Sequence, residues 1–178
     1  MRIHRILTAA LASIGLTSVM LVAGTGAASA QPAPPTSTDM TCTSANPLFW
    51  APPFTWQVRA GSGESLPEGG SGLEPSLLLS GFNDLPVPPG GLIPSIGVNW
   101  YGNRVLVDWH NLTTGATGSS VSDEVFLRQN PSIPINRTFT GVGTVSFTVT
   151  LQTGAGFWFV NPQNAICQGE ISVVPGRP

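Results

Sequence analysis

Between residues 145 and 152 the chain alternates without a break: Val145, Phe147, Val149 and Leu151 are apolar, and Ser146, Thr148, Thr150 and Gln152 are polar. A two-residue period puts one set on a buried face and the other in solvent, which predicts a half-buried strand. Residues 104–112 repeat the pattern, with Val105, Val107 and Trp109 on one face and Leu106, Asp108 and His110 on the other. Shorter apolar or alternating runs predict further strands at 55–60, 77–79, 96–101, 121–128, 138–140, 157–160 and 166–174. Turn and loop signals separate them. Residues 61–76 are a Gly/Ser/Glu loop, 113–118 a Thr/Gly turn, and 129–135 a connector with Pro131 and Pro134. Gly154-Ala155-Gly156 reads as a turn, and 81–94 is a Pro/Gly segment that is unusually apolar, with Phe82, Leu85, Val87, Leu92 and Ile93. The prolines of Pro47-Leu48-Phe49-Trp50-Ala51-Pro52-Pro53-Phe54 forbid a helix there and disfavour a central strand. Beyond residue 30 no stretch keeps a helical period. About seven to nine short strands with frequent turns predict an all-β antiparallel sandwich or barrel, the immunoglobulin-like β-sandwich being preferred.

The one helical signal lies at the start. Arg2, His4 and Arg5 precede an uncharged apolar run from Ile6 to Val22, and Ala28-Ser29-Ala30 has the small-residue form of a cleavage site. The run is interrupted by Thr8, Ser13, Gly15 and Ser18. It falls short of the roughly 20 residues that span a bilayer. This predicts a cleavable Sec-type signal-peptide helix and a mature protein beginning near Gln31, secreted or held in the cell envelope without a transmembrane anchor. The expected organisation is a signal peptide over 1–30, an extended N-terminal segment over 31–43 and a β-sandwich domain over 44–178.

Removing the leader changes the charge. Of seven arginines only five remain, against nine acids, giving −4 where the whole chain has −2; there is no lysine. An acidic, lysine-free surface is unsuited to nucleic acid, whose binding rests on phosphate neutralisation. Export also places Cys42 and Cys167, the two cysteines, in an oxidising space. No CxxC spacing or cysteine–histidine cluster points to a metal or redox site, so a structural disulfide is expected. Its placement differs from the B–F bridge of antibody domains and suits a staple between edge strands or chain ends.

The run Val107-Asp108-Trp109-His110-Asn111-Leu112-Thr113-Thr114-Gly115-Ala116-Thr117-Gly118 resembles a strand–turn signature of small exported actinobacterial proteins. That resemblance implies an immunoglobulin-like sandwich with no assigned function and brings no catalytic residue. The Gly, Pro and arginine bias of the composition is in keeping with a GC-rich bacterial source.

Groups for chemistry are few. His110 is the one histidine outside the leader, and Asp108 shares its face. The pair could orient an imidazole for base catalysis or be a polar pair on a solvent face. No Gly-x-Ser-x-Gly elbow supplies a nucleophile. Glu64, Glu68 and Glu74 lie in the expected loop, and Asp123-Glu124 would diverge on a strand. Neither set suits a glycosidase pair or a calcium site. Two N-glycosylation sequons begin at Asn111 and Asn136 and are expected to be accidental.

Aromatic residues offer more. Trp109 shares its face with Val105 and Val107 and fits a core, while Trp50, Trp100, Tyr101 and Trp158 form a candidate ligand platform. The sequence therefore predicts a non-enzymatic protein with no cofactor, metal or catalytic residues. It would act by binding an unidentified protein, glycan or lipid of the envelope or extracellular space. A carbohydrate-binding module using those aromatics is the first alternative, and a small secreted hydrolase around Asp108 and His110 the second.

Overall fold

A computed structural model describes residues 33–67, 69–70, 72–84, 100–122 and 132–175. The signal segment 1–30, the strand signals at 96–99 and 123–128, most of the apolar 81–94 segment, and Glu68, Asp123 and Glu124 lie outside the described residues.

Eight strands are described: β1 (Ser37–Ser44), β2 (Phe54–Ser65), β3 (Glu74–Asn83), β4 (Tyr101–Asn111), β5 (Thr117–Ser122), β6 (Ser132–Phe139), β7 (Gly143–Ala155) and β8 (Val160–Val173). They form two four-stranded antiparallel sheets, ordered β1-β2-β3-β6 and β5-β4-β7-β8. The inward faces supply one core. Phe54, Trp56, Val58 and Ala60 of β2 meet Val105 and Val107 of β4, Val145, Phe147, Val149 and Leu151 of β7, and Ile171 and Val173 of β8. The alternation at 145–152 is thus realised as predicted, and Trp109 packs against the core beside Val105 and Val107.

Each open side of the sandwich is closed differently. On one side edge strands β1 and β8 are joined by the Cys42–Cys167 disulfide, with Cα atoms 5.6 Å apart and a sequence separation of 125. The Ser172 N–H also donates to the Pro35 carbonyl at 2.9 Å. On the other side β5 and β6 are held by side chains. The Ser120 hydroxyl donates to Asn136 Oδ1 at 2.8 Å and lies 2.6 Å from Thr138 Oγ1, while Asn136 Nδ2 donates to the Ser122 hydroxyl at 2.8 Å. Buried polar groups are tolerable there because each is partnered.

Several boundaries differ from the sequence reading. The segment up to residue 43 is not a separate approach to the domain: 37–44 is edge strand β1. The expected loop 61–76 shrinks to 66–73, because β2 and β3 pair from Trp56↔Asn83 to Ser65↔Glu74. Gly63 makes room there for Leu78, which would overlap a β-carbon at that position. Pro134 lies inside β6, not in a connector. It is accommodated because β6 is an edge strand and the register with β3 shifts at Leu79/Gly81, where a proline removes no ladder bond. Residues 157–159 form a turn rather than a strand, and Gly154-Ala155 ends β7. Phe159, at φ 49°, folds its ring over Gly154, where a β-carbon would lie 2.6 Å from it.

Candidate binding end formed by two Phe-Trp turns

The loops that follow β1 and β7 lie at the same end of the sandwich. The segment 45–53 closes on itself through Asn46. Its Nδ2 donates to the Pro52 carbonyl at 3.0 Å, and its Oδ1 accepts the Leu48 N–H at 2.9 Å and the Tyr101 hydroxyl at 3.3 Å. Leu48 is buried, and the Ala51 N–H donates to the Leu48 carbonyl at 2.8 Å. Phe49 and Trp50 therefore occupy the two corner positions of a β-turn and point away from the core. The β7–β8 connection repeats the arrangement: the Phe159 N–H donates to the Gly156 carbonyl at 3.3 Å, leaving Phe157 and Trp158 at the corners.

Corners of turns usually carry Gly, Pro, Asn, Asp or Ser. Here both carry Phe-Trp, and the rings stay in solvent: Phe49 is 89% exposed, Trp50 64%, Phe157 72% and Trp158 82%. Within each turn the two rings stand edge to face, with centroids 4.7 Å apart at 85° in the first and 5.4 Å at 89° in the second. The turns are tied together where Asn161 Nδ2 donates to the Pro47 carbonyl at 2.8 Å. A groove of about 380 Å³ runs beside them, lined by Ala45, Asn46, Phe49, Ala51, Pro53, Asn161 and Gln163. Trp100 is nearby and 43% exposed, its carbonyl accepting the Gly156 N–H at 2.6 Å.

Three of the four aromatics picked out as a platform, Trp50, Trp100 and Trp158, thus come to this end with exposed rings. Tyr101 does not join them. It is 6% exposed, its ring lies edge-on to Phe54 at 5.1 Å, and burial raises its hydroxyl pKa above the ordinary 10.0. The sequence reading missed Phe49 and Phe157. Their signal is the repeated Phe-Trp dipeptide itself, flanked by Pro in one copy and Gly in the other.

Comparison with protein-family models, with curated proteins and with solved structures finds no match for this chain. Its chemistry has to be read from its own side chains.

The second site to weigh is the outward face of the β4-β7-β8 sheet. An open groove of about 690 Å³ there is lined by Asp108, His110, Ser146, Thr148, Gln168 and Glu170, with Trp109, Phe147 and Gly169. Strand register sets the polar groups in two rows, His110–Ser146–Glu170 and Asp108–Thr148–Gln168. No hydrogen bond links the side chains of Asp108, His110 and Ser146 among the described residues; the Ser146 hydroxyl donates at 3.5 Å to the His110 backbone carbonyl. No group of three or more His, Cys, Asp or Glu suited to a metal ion occurs among the described residues. Glu64 and Glu74 lie at the opposite end of the sandwich from the aromatic turns, where Glu64 faces Pro75 and Glu74 faces Ser65.

Both sequon asparagines are buried and already engaged. Asn111 donates to the Thr140 and Val142 carbonyls at 2.9 and 3.1 Å and accepts from the Thr113 and Thr114 N–H groups at 3.0 and 3.1 Å. Asn136 belongs to the β5–β6 network.

Proposed function

We propose that this chain is an exported, disulfide-stapled binding protein that works through its aromatic turn end and not by catalysis. The observation that carries the reading is the pair of Phe-Trp turns. Exposed apolar surface concentrated in one place, on loops fixed by hydrogen bonds, is characteristic of an interaction site. The outward β4-β7-β8 face has polar groups, but the side chains of Asp108, His110 and Ser146 are not hydrogen-bonded to one another there.

Export rests on the leader over 1–30 and accords with the disulfide, which persists in oxidising compartments. No helix among the described residues is long and apolar enough to cross a membrane. We read the sandwich as immunoglobulin-like. The order β5-β4-β7-β8 follows the C′-C-F-G order of that fold, and β1, β2 and β6 occupy the places of A, B and E with β3 inserted between the last two. The likeness to small exported actinobacterial proteins belongs to the same proposal.

The test is retention of the exported protein on insoluble polysaccharides, on peptidoglycan and on phosphatidylcholine vesicles, beside turnover of ester, peptide and glycoside substrates. Wild type is retained by one member of the panel, and the variant Phe49→Ser/Trp50→Ser/Phe157→Ser/Trp158→Ser, with unchanged melting temperature, is not. Undiminished retention of that variant, no retention of wild type on any member, or turnover abolished by His110→Ala would overturn the proposal.

A further inference from the structure

We infer that the partner of the aromatic end is a lipid bilayer surface, into whose headgroup–acyl boundary the two Phe-Trp turns insert. The inference rests on the binding reading above and names its ligand class.

The chemistry of the turns favours lipid over sugar. Residues 45–53 and 156–163 contain no Asp, Glu, Lys, Arg or His, so neither turn carries a charged side chain of its own into the bilayer. Sugar sites combine aromatic faces with free polar groups that hydrogen-bond hydroxyls. Here the two asparagine amides at the turns, Asn46 and Asn161, are spent within the protein. Both atoms of the Asn46 amide are bonded, Asn161 Nδ2 is on the Pro47 carbonyl, and Asn161 Oδ1 accepts Gln163 Nε2 at 3.0 Å. The edge-to-face packing within each turn also keeps one ring of each pair from offering a lone flat face.

The geometry suits a bilayer interface. Trp is enriched at that depth because its ring is apolar and its indole N–H finds a partner in the headgroup layer. The two turns are tied by the Asn161–Pro47 bond and each holds its own ring pair edge to face, so little order is lost on insertion. With no cation in either turn, binding owes nothing to anionic headgroups.

Sedimentation of the exported chain with vesicles tests this, every variant having the same N-terminus. Wild type pellets with phosphatidylcholine vesicles, its tryptophan emission shifts to the blue, and neither anionic lipid nor 0.5 M salt changes the partition coefficient by more than about twofold. Trp50→Ser and Trp158→Ser each lower that coefficient roughly tenfold, and the double variant roughly a hundredfold. Val121→Ser, an exposed apolar position on β5, leaves it unchanged. Retention on a polysaccharide or peptidoglycan but not on vesicles, lost in the same tryptophan variants, overturns the lipid inference and leaves the binding reading standing. Vesicle binding that requires anionic lipid overturns insertion by uncharged turns. Vesicle binding unaffected by both tryptophan variants overturns the inference and the binding reading together.

Discussion

Asn111→Ala removes one side chain and unties two corners of the sandwich. Asn111 ends β4 fully buried, and its amide spans the β4–β5 turn and the β6–β7 corner through four hydrogen bonds. Those four are not of equal weight. Thr113 and Thr114 are exposed, so water replaces Asn111 at their N–H groups and little is lost there. The Thr140 carbonyl belongs to a buried residue and loses a partner that water does not readily replace. An unsatisfied buried acceptor costs about 1–3 kcal/mol, and each remaining bond adds about 0.5 kcal/mol. The total is about 3 kcal/mol, a large share of the roughly 5–15 kcal/mol that holds a domain folded. In a domain of this size that lowers the melting temperature by roughly 6–12 °C. Urea denaturation followed by tryptophan emission measures it, with an unchanged slope showing that the folded state is the one affected. Asn111→Asp separates hydrogen bonding from packing. It keeps the volume and the acceptor but turns a carboxylate toward the Thr140 and Val142 carbonyls, so it destabilises at least as much at pH 7. An Asp variant as stable as wild type, or an Ala variant within about 1 kcal/mol of it, would mean that the Asn111 bonds do not hold the two corners together.

Three further outcomes are expected. Replacing both Cys42 and Cys167 by Ala lowers unfolding stability by about 4–5 kcal/mol on loop-entropy grounds, read from denaturation midpoints with and without reductant. Tyr101 is the only tyrosine, and its raised pKa means the folded state keeps its proton where the unfolded chain has lost it. Its contribution is therefore complete below pH 10 and falls as the pH rises from 10.0 through the higher folded value. Phenolate absorbance of the folded protein should lag that of the urea-unfolded chain, and Tyr101→Phe should flatten the alkaline limb of stability against pH. Mass spectrometry of protein recovered from the medium of a secreting bacterial host should give a chain beginning at Gln31 with two fewer hydrogens than the dithiol; an intact N-terminus would contradict the leader reading.

Sequence patterns reveal the fold where one period dominates. Val145 to Gln152 alternates cleanly because β7 is flanked by β4 and β8, with one face on the core and the other in solvent. The disulfide was also readable, since a chain with two cysteines leaves one pairing. β1 and β6 were obscured by what edge strands tolerate: Thr/Ser-rich composition in one and Pro134 in the other. The 157–160 run misled for the opposite reason. Phe157-Trp158-Phe159-Val160 has strand composition, yet Gly154 and Gly156 let the chain turn and Phe159 fold back, so the two preceding rings remain outside. The candidate site was half legible. Its tryptophans were visible as residues, but Tyr101 has the composition of a platform and the burial of a core residue. The tie between the turns depends on Asn161 reaching Pro47 across 114 residues of sequence, which no local pattern encodes.

The most direct measurement is ¹⁹F NMR of the exported protein carrying 5-fluorotryptophan, titrated with phosphatidylcholine vesicles. The five tryptophans report on separate places: Trp50, Trp100 and Trp158 at the aromatic end, Trp56 in the core, and Trp109 packed against the core on the inward side of β4. The Trp50 and Trp158 resonances broaden first, with Trp100 following and Trp56 and Trp109 unmoved beyond the uniform effect of vesicle mass. Perturbation led by Trp109, or a spectrum in which Trp50 and Trp158 respond no more than Trp56, would contradict insertion by the two turns.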